Sequence, residues 1–291
     1  MDGRLEQYRI FNTVAECGSF SAAAEKLYVT QSAVSQAVKQ LESSLGVSLL
    51  IRSPRGAALT QEGEILYGYT SSALELIKAG GRRLAAYGDL QEGELRIAAG
   101  DTISSYFLLD KLEVFHRKYP GIKIREINRV TGEAAELVKT GQVDLAFGNL
   151  PINDDSLTIY PCLEIHDIFV AGKGFENLKG RLTPEDIAAQ PLILLEKKSN
   201  SRNYVDAFFE SEGCRLEPDI ELGAHELLLQ FASIGLGVSC VIKEFSGKYL
   251  ESGEVRELEL TKPVPARAMG CCHSSATELS PAAKKFLETV L

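Results

Sequence analysis

The stretch Ser19–Thr60 decides the fold of the first part of the chain: SFSAAAEKLYVTQSAVSQAVKQLESSLGVSLLIRSPRGAALT. Ser21 is placed to cap a helix that ends at Leu27, because a hydroxyl group can accept from the unpaired backbone N–H groups of a first turn. Thr30 is placed to cap a second helix that runs to about Leu45, and the glycine that follows is a typical helix end. Only two residues remain for the turn between the helices. The stretch therefore predicts a compact helix-turn-helix.

The predicted second helix has one apolar face and one polar face. Apolar side chains recur at the spacing of three and four residues that marks a buried stripe: Val34, Ala37, Val38, Leu41 and Leu45. The opposite face carries small polar side chains and a single charge: Gln31 in the first turn, then Ser32, Ser35, Gln36 and Lys39. Short hydroxyls and an amide suit the major groove of DNA, where Gln pairs with adenine edges and Ser reaches several acceptors. An ordinary solvated helix face is the alternative.

A hairpin with basic residues at its tip, here called the wing, follows the second helix. Two short apolar arms enclose an Arg-Ser-Pro-Arg-Gly tip within Leu49–Thr60, and this composition is typical of a hairpin turn. Arg52 and Arg55 project from such a wing beside the second helix. There they neutralise DNA phosphates or enter the minor groove, whereas in the alternative interpretation they only keep a loop soluble. The adjacent helix pair favours the DNA-binding role.

A set of residues spread over the first 63 positions forms one specific pattern: Phe11, Gly18–Ala24, Thr30–Ser35, Leu41–Glu42, Leu45–Gly46, Arg52, Leu59–Thr60 and Gly63. Their order and spacing resemble the winged helix-turn-helix of LysR-type transcriptional regulators, and the resemblance extends over essentially the whole chain. It implies control of transcription, dimers formed through a linker helix, and commonly tetramers. Leu50 and Gln36 depart from the usual Phe and Arg of the family, and Gln36 removes a charge from the groove face.

The acidity of the chain lies outside this N-terminal part, here called the head. The full chain has 291 residues, of which 45% are hydrophobic, and a net charge of -9. Up to Ala58, however, six basic residues stand against five acidic ones. Bulk charge cannot then supply the affinity for DNA, so we expect positioned contacts and two or more heads on one DNA. The expected partners are double-stranded DNA and further copies of the chain, as a homodimer or homotetramer.

The N-terminus predicts no secretion signal, since its apolar residues are spaced at the helix period among charges. No apolar run approaches the length of a membrane span, so we expect a cytoplasmic protein without a membrane partner. The six cysteines lack the repeated pairing of a zinc site, and a reducing cytosol disfavours disulfides. Cys271 and Cys272 are the only close pair, and buried apolar thiols are expected. The sequence predicts neither a metal nor a cofactor.

From Gln61 the pattern changes to one long helix that reaches about Tyr87. Its apolar residues alternate by three and four, which is typical of a coiled-coil seam: Leu66, Tyr69, Ala73, Leu76, Gly80, Leu84 and Tyr87. Packing of this helix on the chain's own body is the alternative. We expect a winged helix-turn-helix over residues 1–60, a linker and dimerisation helix over 61–90, and an effector-binding domain over 91–291.

Strands and helices alternate beyond residue 90, which predicts an α/β fold with parallel strands. Two such units are expected, lobe I over about 91–163 and 267–291 and lobe II over about 164–266. Lobes joined by two crossings enclose a cleft for a small ligand, as in periplasmic binding proteins. The resemblance implies the same architecture: a mainly α head, a long linker helix and a two-lobed α/β effector domain.

Polar residues at the ends of the predicted strands are candidates for the cleft: Thr102, Ser104, Thr131, Asn149, Ser199, Asn200, Ser201, Arg202 and His225. Hydroxyls and backbone N–H groups at helix starts can hold a small anion, such as a carboxylate or another oxyanion. The hydroxyls have helix capping as the alternative. Surface roles are the alternative for Arg202 and His225.

The sequence lacks the phosphate-binding loop, the nucleophile elbow and the His-Glu-x-x-His motif of common enzyme classes. Its four histidines are scattered along the chain. We therefore predict a sequence-specific DNA-binding transcriptional regulator, and not an enzyme, whose activity is modulated by a small-molecule effector bound between two α/β lobes. The alternative is a cytosolic ligand-binding protein or an enzyme that uses the α/β cleft.

Overall fold

The computed structural model describes residues 4–53, 56–85 and 93–291. They belong to two compact units that divide after Ala85. The first unit contains the head and a long helix, and the second contains two α/β lobes. Within the described ranges, no helix combines the length and the apolar character that a membrane crossing needs.

The head consists of three short helices and a two-stranded hairpin. The elements are α1 (Leu5–Cys17), α2 (Phe20–Leu27), α3 (Gln31–Leu45), β1 (Leu50–Ser53) and β2 (Gly56–Leu59). The predicted helix pair is confirmed, and the Thr30 hydroxyl caps α3 by accepting from the Ala33 N–H at 3.3 Å. The predicted cap of α2 at Ser21 is wrong, because the chain is already helical at Phe20 and Ser19 accepts from the first turn.

Apolar side chains from the three helices and the wing form the core of the head: Phe11, Val14, Phe20, Ala23, Ala24, Val34, Val38, Leu41, Leu49 and Leu50. Leu45, which the sequence pattern places in this core, is instead 37% exposed. It is the last residue of α3, and Gly46 ends the helix there with a left-handed φ of 72°. The core therefore holds the middle of α3, and the helix end stays at the surface.

The long helix α4 (Gln61–Ala85) agrees with the predicted linker helix over the residues described. Leu66 packs against the core of the head, and the Asn12 amide donates to the Thr70 hydroxyl at 2.7 Å, so the first turns are fixed to α1. Large apolar side chains on the same helix are exposed: Ile65, Tyr69, Leu76 and Ile77. Tyr87 and the Leu84 side chain, both part of the predicted seam, lie outside the described residues.

Lobe I contains a five-stranded sheet with helices on it. Its strands are β3 (Gly93–Ala99), β4 (Ile122–Asn128), β5 (Leu145–Asn149), β6 (Leu157–Ile165) and β12 (Arg267–Ser274). Its helices are α5 (Asp101–Ile103), a π-helical segment (Ser104–Leu108), α6 (Leu109–Lys118), α7 (Thr131–Lys139) and α12 (Pro281–Val290). The sheet order is β4-β3-β5-β12-β6. Strand β3 is parallel to β4 and β5, whereas β12 is antiparallel to β5 and β6.

Lobe II repeats this plan. Its strands are β7 (Asp167–Ala171), β8 (Leu192–Leu195), β9 (Ile220–Leu222), β10 (Val238–Ile242) and β11 (Arg256–Leu258). Its helices are α8 (Pro184–Ala188), α9 (Asn200–Ser211), α10 (His225–Ser233), a 3-10 turn (Lys243–Phe245) and α11 (Gly247–Glu251). The sheet order is β11-β7-β10-β8-β9, and β7 is antiparallel to its neighbours. Both sheets are therefore mixed, and the predicted parallel pairing holds for the central strands but not for the pairs that involve β7 or β12.

The chain crosses between the lobes twice, after β6 and before β12. Asp167 lies just beyond the first crossing and Arg267 at the end of the second, and both residues are buried. The Arg267 guanidinium donates to both carboxylate oxygens of Asp167, at 2.5 and 2.9 Å. This buried ion pair ties the two crossings together.

Candidate functional site

The face of α3 opposite the core of the head carries the residues predicted to contact DNA. The exposed side chains are Gln31, Ser32, Gln36 and Lys39, and the Ser35 side chain is half-buried. The hydroxyls of Thr30 and Ser32 lie 3.0 Å apart at the helix start. No carboxylate in the described part of the chain forms an ion pair with Lys39. The arrangement presents small hydrogen-bonding groups and one available cation on a single rigid surface.

The wing is fixed directly to the end of α3. The Glu42 carboxylate accepts from the backbone N–H groups of Leu49 and Leu50, at 2.8 and 3.2 Å. Glu42 is part of the sequence pattern that resembles the LysR family, and these bonds give it a structural role, which is to hold the wing against α3. Arg52 lies in β1, one of the two antiparallel wing strands. Arg55, at the predicted tip, lies outside the described residues.

A cavity of about 210 Å³ lies between lobe I and lobe II. Seven of the nine residues predicted for the cleft line it: Thr102, Thr131, Asn149, Ser199, Asn200, Ser201 and His225. They come from the ends of strands in both lobes and from the helix starts that follow. The structure thus brings together residues that lie up to 123 positions apart in the sequence.

Ser104 and Arg202 do not line this cavity. The Ser104 hydroxyl donates to the Glu126 carboxylate. The Arg202 side chain is 2% exposed, forms ion pairs with Asp206 and Glu221, and donates to a backbone carbonyl of β8. The predicted place of Arg202 in the cleft and the alternative of a surface role are both wrong. The Arg202 guanidinium is buried and paired inside lobe II.

Three helices of nine residues or more begin at the cavity. Helix α7 belongs to lobe I, and α9 and α10 belong to lobe II. The residues before them are Val130, Ser199 and Ala224, and no side chain among the described residues caps any of the three. Elsewhere in the second unit, Thr183 and Ser280 cap helix starts through their hydroxyls. The helix starts at the cavity therefore keep backbone N–H groups available, together with the positive end of each helix dipole.

His225 is the most deeply buried ionisable residue that lines the cavity. Its Nε2 accepts from the Ile242 N–H at 3.0 Å, and its Nδ1 has no partner among the described residues. Burial lowers the pKa of His225 to about 4. The ring is therefore neutral at physiological pH and carries its proton on Nδ1. The surface role considered for His225 is wrong.

Charged residues that the sequence analysis does not single out also line the cavity: Asp101, Arg129, Glu196 and Lys198. The Asn128 amide donates to Asp101, and Arg129 pairs with Glu133 at 3.4 Å. Two basic and two acidic side chains balance in formal charge, so the cavity has no excess of either sign at its rim. Asp101 and Lys198 are next in sequence to predicted cleft residues, Thr102 and Ser199, and that adjacency is the signal that could have found these two.

The cysteines and the acidic residues in the described part of the chain are not arranged as a metal site. Cys271 and Cys272 are buried, and burial raises the pKa of both thiols. The other four cysteines are partly buried, so the expected full burial holds only for this pair. No group of three or more His, Cys, Asp or Glu side chains within the described residues is arranged to hold a metal ion.

Two family models match the chain. One, described as "Bacterial regulatory helix-turn-helix protein, lysR family", covers residues 5–64. The other, described as "LysR substrate binding domain", covers residues 88–291. The two matches correspond to the head with the start of α4, and to the two-lobed unit.

Curated relatives and solved structures agree with these models. A "Probable RuBisCO transcriptional regulator" of Cyanidioschyzon merolae is 32% identical, over 88% of this chain and 87% of its own length. The HTH-type transcriptional regulator YeiE of Escherichia coli K12 is 29% identical, over 98% of this chain and 96% of its own. A full-length OxyR variant from Pseudomonas aeruginosa superposes with a TM-score of 0.70 at 22% identity, covering 99% and 93%. At 22% identity, the superposition on OxyR shows a shared fold and nothing more.

A winged helix-turn-helix head joined to a two-lobed ligand-binding domain defines a class of DNA-binding regulators. The chain belongs to the LysR family within that class, since the two family models together cover most of its length. It is therefore a DNA-binding transcriptional regulator with an effector-binding domain, and not an enzyme. Regulators of this family bind DNA and small-molecule effectors and are oligomeric.

Proposed function

We propose that the chain reads operator DNA in the cytoplasm through the exposed face of α3 and the wing. The residues assigned to DNA are Gln31, Ser32, Ser35, Gln36, Lys39, Arg52 and Arg55. The observation that carries this assignment is the polar face of α3, charged only at Lys39, with a wing fixed beside it by Glu42. Hydroxyl and amide groups on that face suit base edges, and arginines on a wing suit phosphates. The cytoplasm is where such a regulator meets its DNA.

Two or more copies of the chain act together in this proposal. Exposed apolar side chains on α4, including Tyr69 at 77% and Ile65 at 61%, support pairing with another copy through this helix. Pairing places two heads on one DNA, which compensates for a nearly neutral head. The working division is a head over 1–60, a dimerisation helix over 61–90 and an effector domain over 91–291, with lobe boundaries near 163 and 267.

The cavity between the lobes is the proposed effector site. The residues assigned to it are Thr102, Thr131, Asn149, Ser199, Asn200, Ser201 and His225. Their convergence from both lobes supports the assignment, because a ligand held by both lobes favours one relative position of the lobes over another. A change of that kind is what couples a small molecule to the spacing of DNA-binding heads in an oligomer.

Genomic DNA selection with the purified full chain at moderate salt tests the DNA-binding proposal. We expect an enriched site with dyad symmetry. Ser35→Ala and Arg52→Ala should lose affinity for that site, since base and phosphate contacts are removed. Gln40→Ala is the matched control in the same helix, because the Gln40 side chain accepts from Gln7 of α1 and is not among the residues assigned to DNA.

Light scattering and circular dichroism on the same variants show whether oligomer and fold are intact. An unchanged DNA affinity in both Ser35→Ala and Arg52→Ala would contradict the assigned surface. Equal losses in these variants and in Gln40→Ala would contradict it as well, because the effect would then not be specific to that face.

A further inference from the structure

Two hydroxyl groups in the cavity already accept hydrogen bonds from the protein. Thr131 Oγ1 accepts from the Asn149 N–H at 3.2 Å. Ser201 Oγ accepts from Arg267 Nη2 at 2.9 Å and from Asn149 Nδ2 at 3.5 Å. A hydroxyl has one proton and two lone pairs, so each of these groups keeps its proton for an outside acceptor. Both side chains are therefore oriented as donors.

His225 is a third donor of this kind. Because its Nε2 accepts from Ile242, the neutral ring carries its proton on Nδ1. The residue is 3% exposed and lines the cavity, and no described residue accepts from Nδ1. A buried N–H group without a partner is costly, and a ligand in the cavity that this residue lines would supply one.

Backbone groups add further donors. The first turns of α7, α9 and α10 meet the cavity without side-chain caps. The acidic side chains of Asp101 and Glu196 are matched by Arg129 and Lys198, so the rim neither attracts nor repels an ion by net charge. The selection comes instead from donors that converge from both lobes, and donors favour a ligand whose oxygens accept.

We infer that the cleft binds a small oxyanion whose oxygens accept from His225 Nδ1–H, the Ser201 and Thr131 hydroxyls and the first-turn N–H groups of α9 and α10. This inference rests on the proposed effector site and specifies the chemistry of its ligand. A cavity of about 210 Å³ is below the range of drug-sized sites, so the ligand is small. Carboxylates, sulfate and phosphate share the required chemistry.

Calorimetric titration of the full chain at constant ionic strength tests the inference. The probes are sodium sulfate, sodium phosphate and sodium malonate, with tetramethylammonium chloride and glycerol as cationic and neutral comparisons. We expect saturable binding of at least one of the three oxyanions, and none of the comparison solutes. Sulfate or phosphate binding identifies a tetrahedral ligand, and malonate binding identifies a carboxylate.

Variants of one helix provide the control. Thr131→Val, which lacks the donor, should bind the oxyanion about tenfold more weakly or worse. Thr131→Ser keeps the hydroxyl and should bind like the wild type. Thr140→Val should also bind like the wild type, since Thr140 lies at the other end of α7 and bonds to the helix backbone. Thr131→Ser thereby separates loss of the donor from loss of folding.

Three results would overturn the inference: no saturable oxyanion binding, equal affinity in Thr131→Val, or preferred binding of the cationic or neutral solute. DNA retention by the same preparation separates these results from failure of the proposed function. A wild-type chain that retains DNA but binds none of the oxyanions refutes the ligand class and leaves the regulator intact. A chain that binds an oxyanion but retains no DNA leaves the ligand class standing and refutes the proposed operator surface.

Discussion

His225 makes the stability of the second unit depend on pH by an amount that follows from its burial. The side chain is 3% exposed, and burial lowers its pKa from 6.5 to about 4. Between these two values the unfolded chain binds a proton that the folded chain excludes, so the free energy of unfolding falls as the pH falls. Between pH 7.5 and pH 5 this residue alone removes about 2 kcal/mol of stability.

The comparison that isolates this effect is the wild type against His225→Gln. Glutamine offers a carbonyl oxygen to the Ile242 N–H but does not titrate, and every other titrating group is common to both chains. Urea unfolding followed by circular dichroism at both pH values should show the wild type losing about 2 kcal/mol more than the variant. Equal losses, or an imidazole that titrates near 6.5 by NMR, would refute the interpretation of a buried neutral ring.

Two further predictions concern the head and the contact between the lobes. Gly63→Ala should destabilise the head by about 1–3 kcal/mol in thermal unfolding, because a Cβ there would overlap the backbone carbonyl oxygen of Leu49 at the start of the wing. Gly68→Ala has open space and should be neutral or stabilising, so equal losses would contradict this close approach. Tyr106→Phe removes a hydroxyl that donates to Glu226 from lobe I, and Tyr249→Phe removes one that donates to the same carboxylate from lobe II. Tyr106→Phe should speed amide hydrogen exchange in α6 and Tyr249→Phe should not, because only Tyr106→Phe removes a hydrogen bond between the lobes. Identical exchange maps for the two variants would show that this bond does not stabilise α6.

The head could be predicted from its sequence because its signals are local. Thr30 and Gly46 lie next to the helix that they bound, and the buried stripe of α3 repeats within that one helix. The error at the start of α2 is local too. Ser19 and Ser21 are both able to cap, and the extended backbone of Ser19, with φ of −156° and ψ of 132°, decides between them. Sequence composition does not contain that angle.

The cleft could be predicted only where strand ends define it. Parallel strands bring their carboxyl ends to one edge, and this rule places Thr131 and Asn149 together. Arg267 has no such signal, because its partner lies 100 positions away. The sequence does not predict strand β6, because this strand contains Pro161 and proline is unfavourable inside a strand. The proline is tolerated because β6 lies at the edge of the sheet. A long-range partner and an edge position therefore account for these two omissions.

The cavity includes residues next to two of the contacts that join the lobes. Ser201 lines the cavity and accepts from Arg267, whose ion pair ties the two crossings together. His225 also lines it and directly precedes Glu226, which accepts from Tyr106 of lobe I. A molecule that bonds to Ser201 and His225 therefore acts on the groups that fix the relative position of the lobes. A difference in its contacts between two lobe arrangements is sufficient to shift their populations, and that shift is what a ligand-responsive regulator requires.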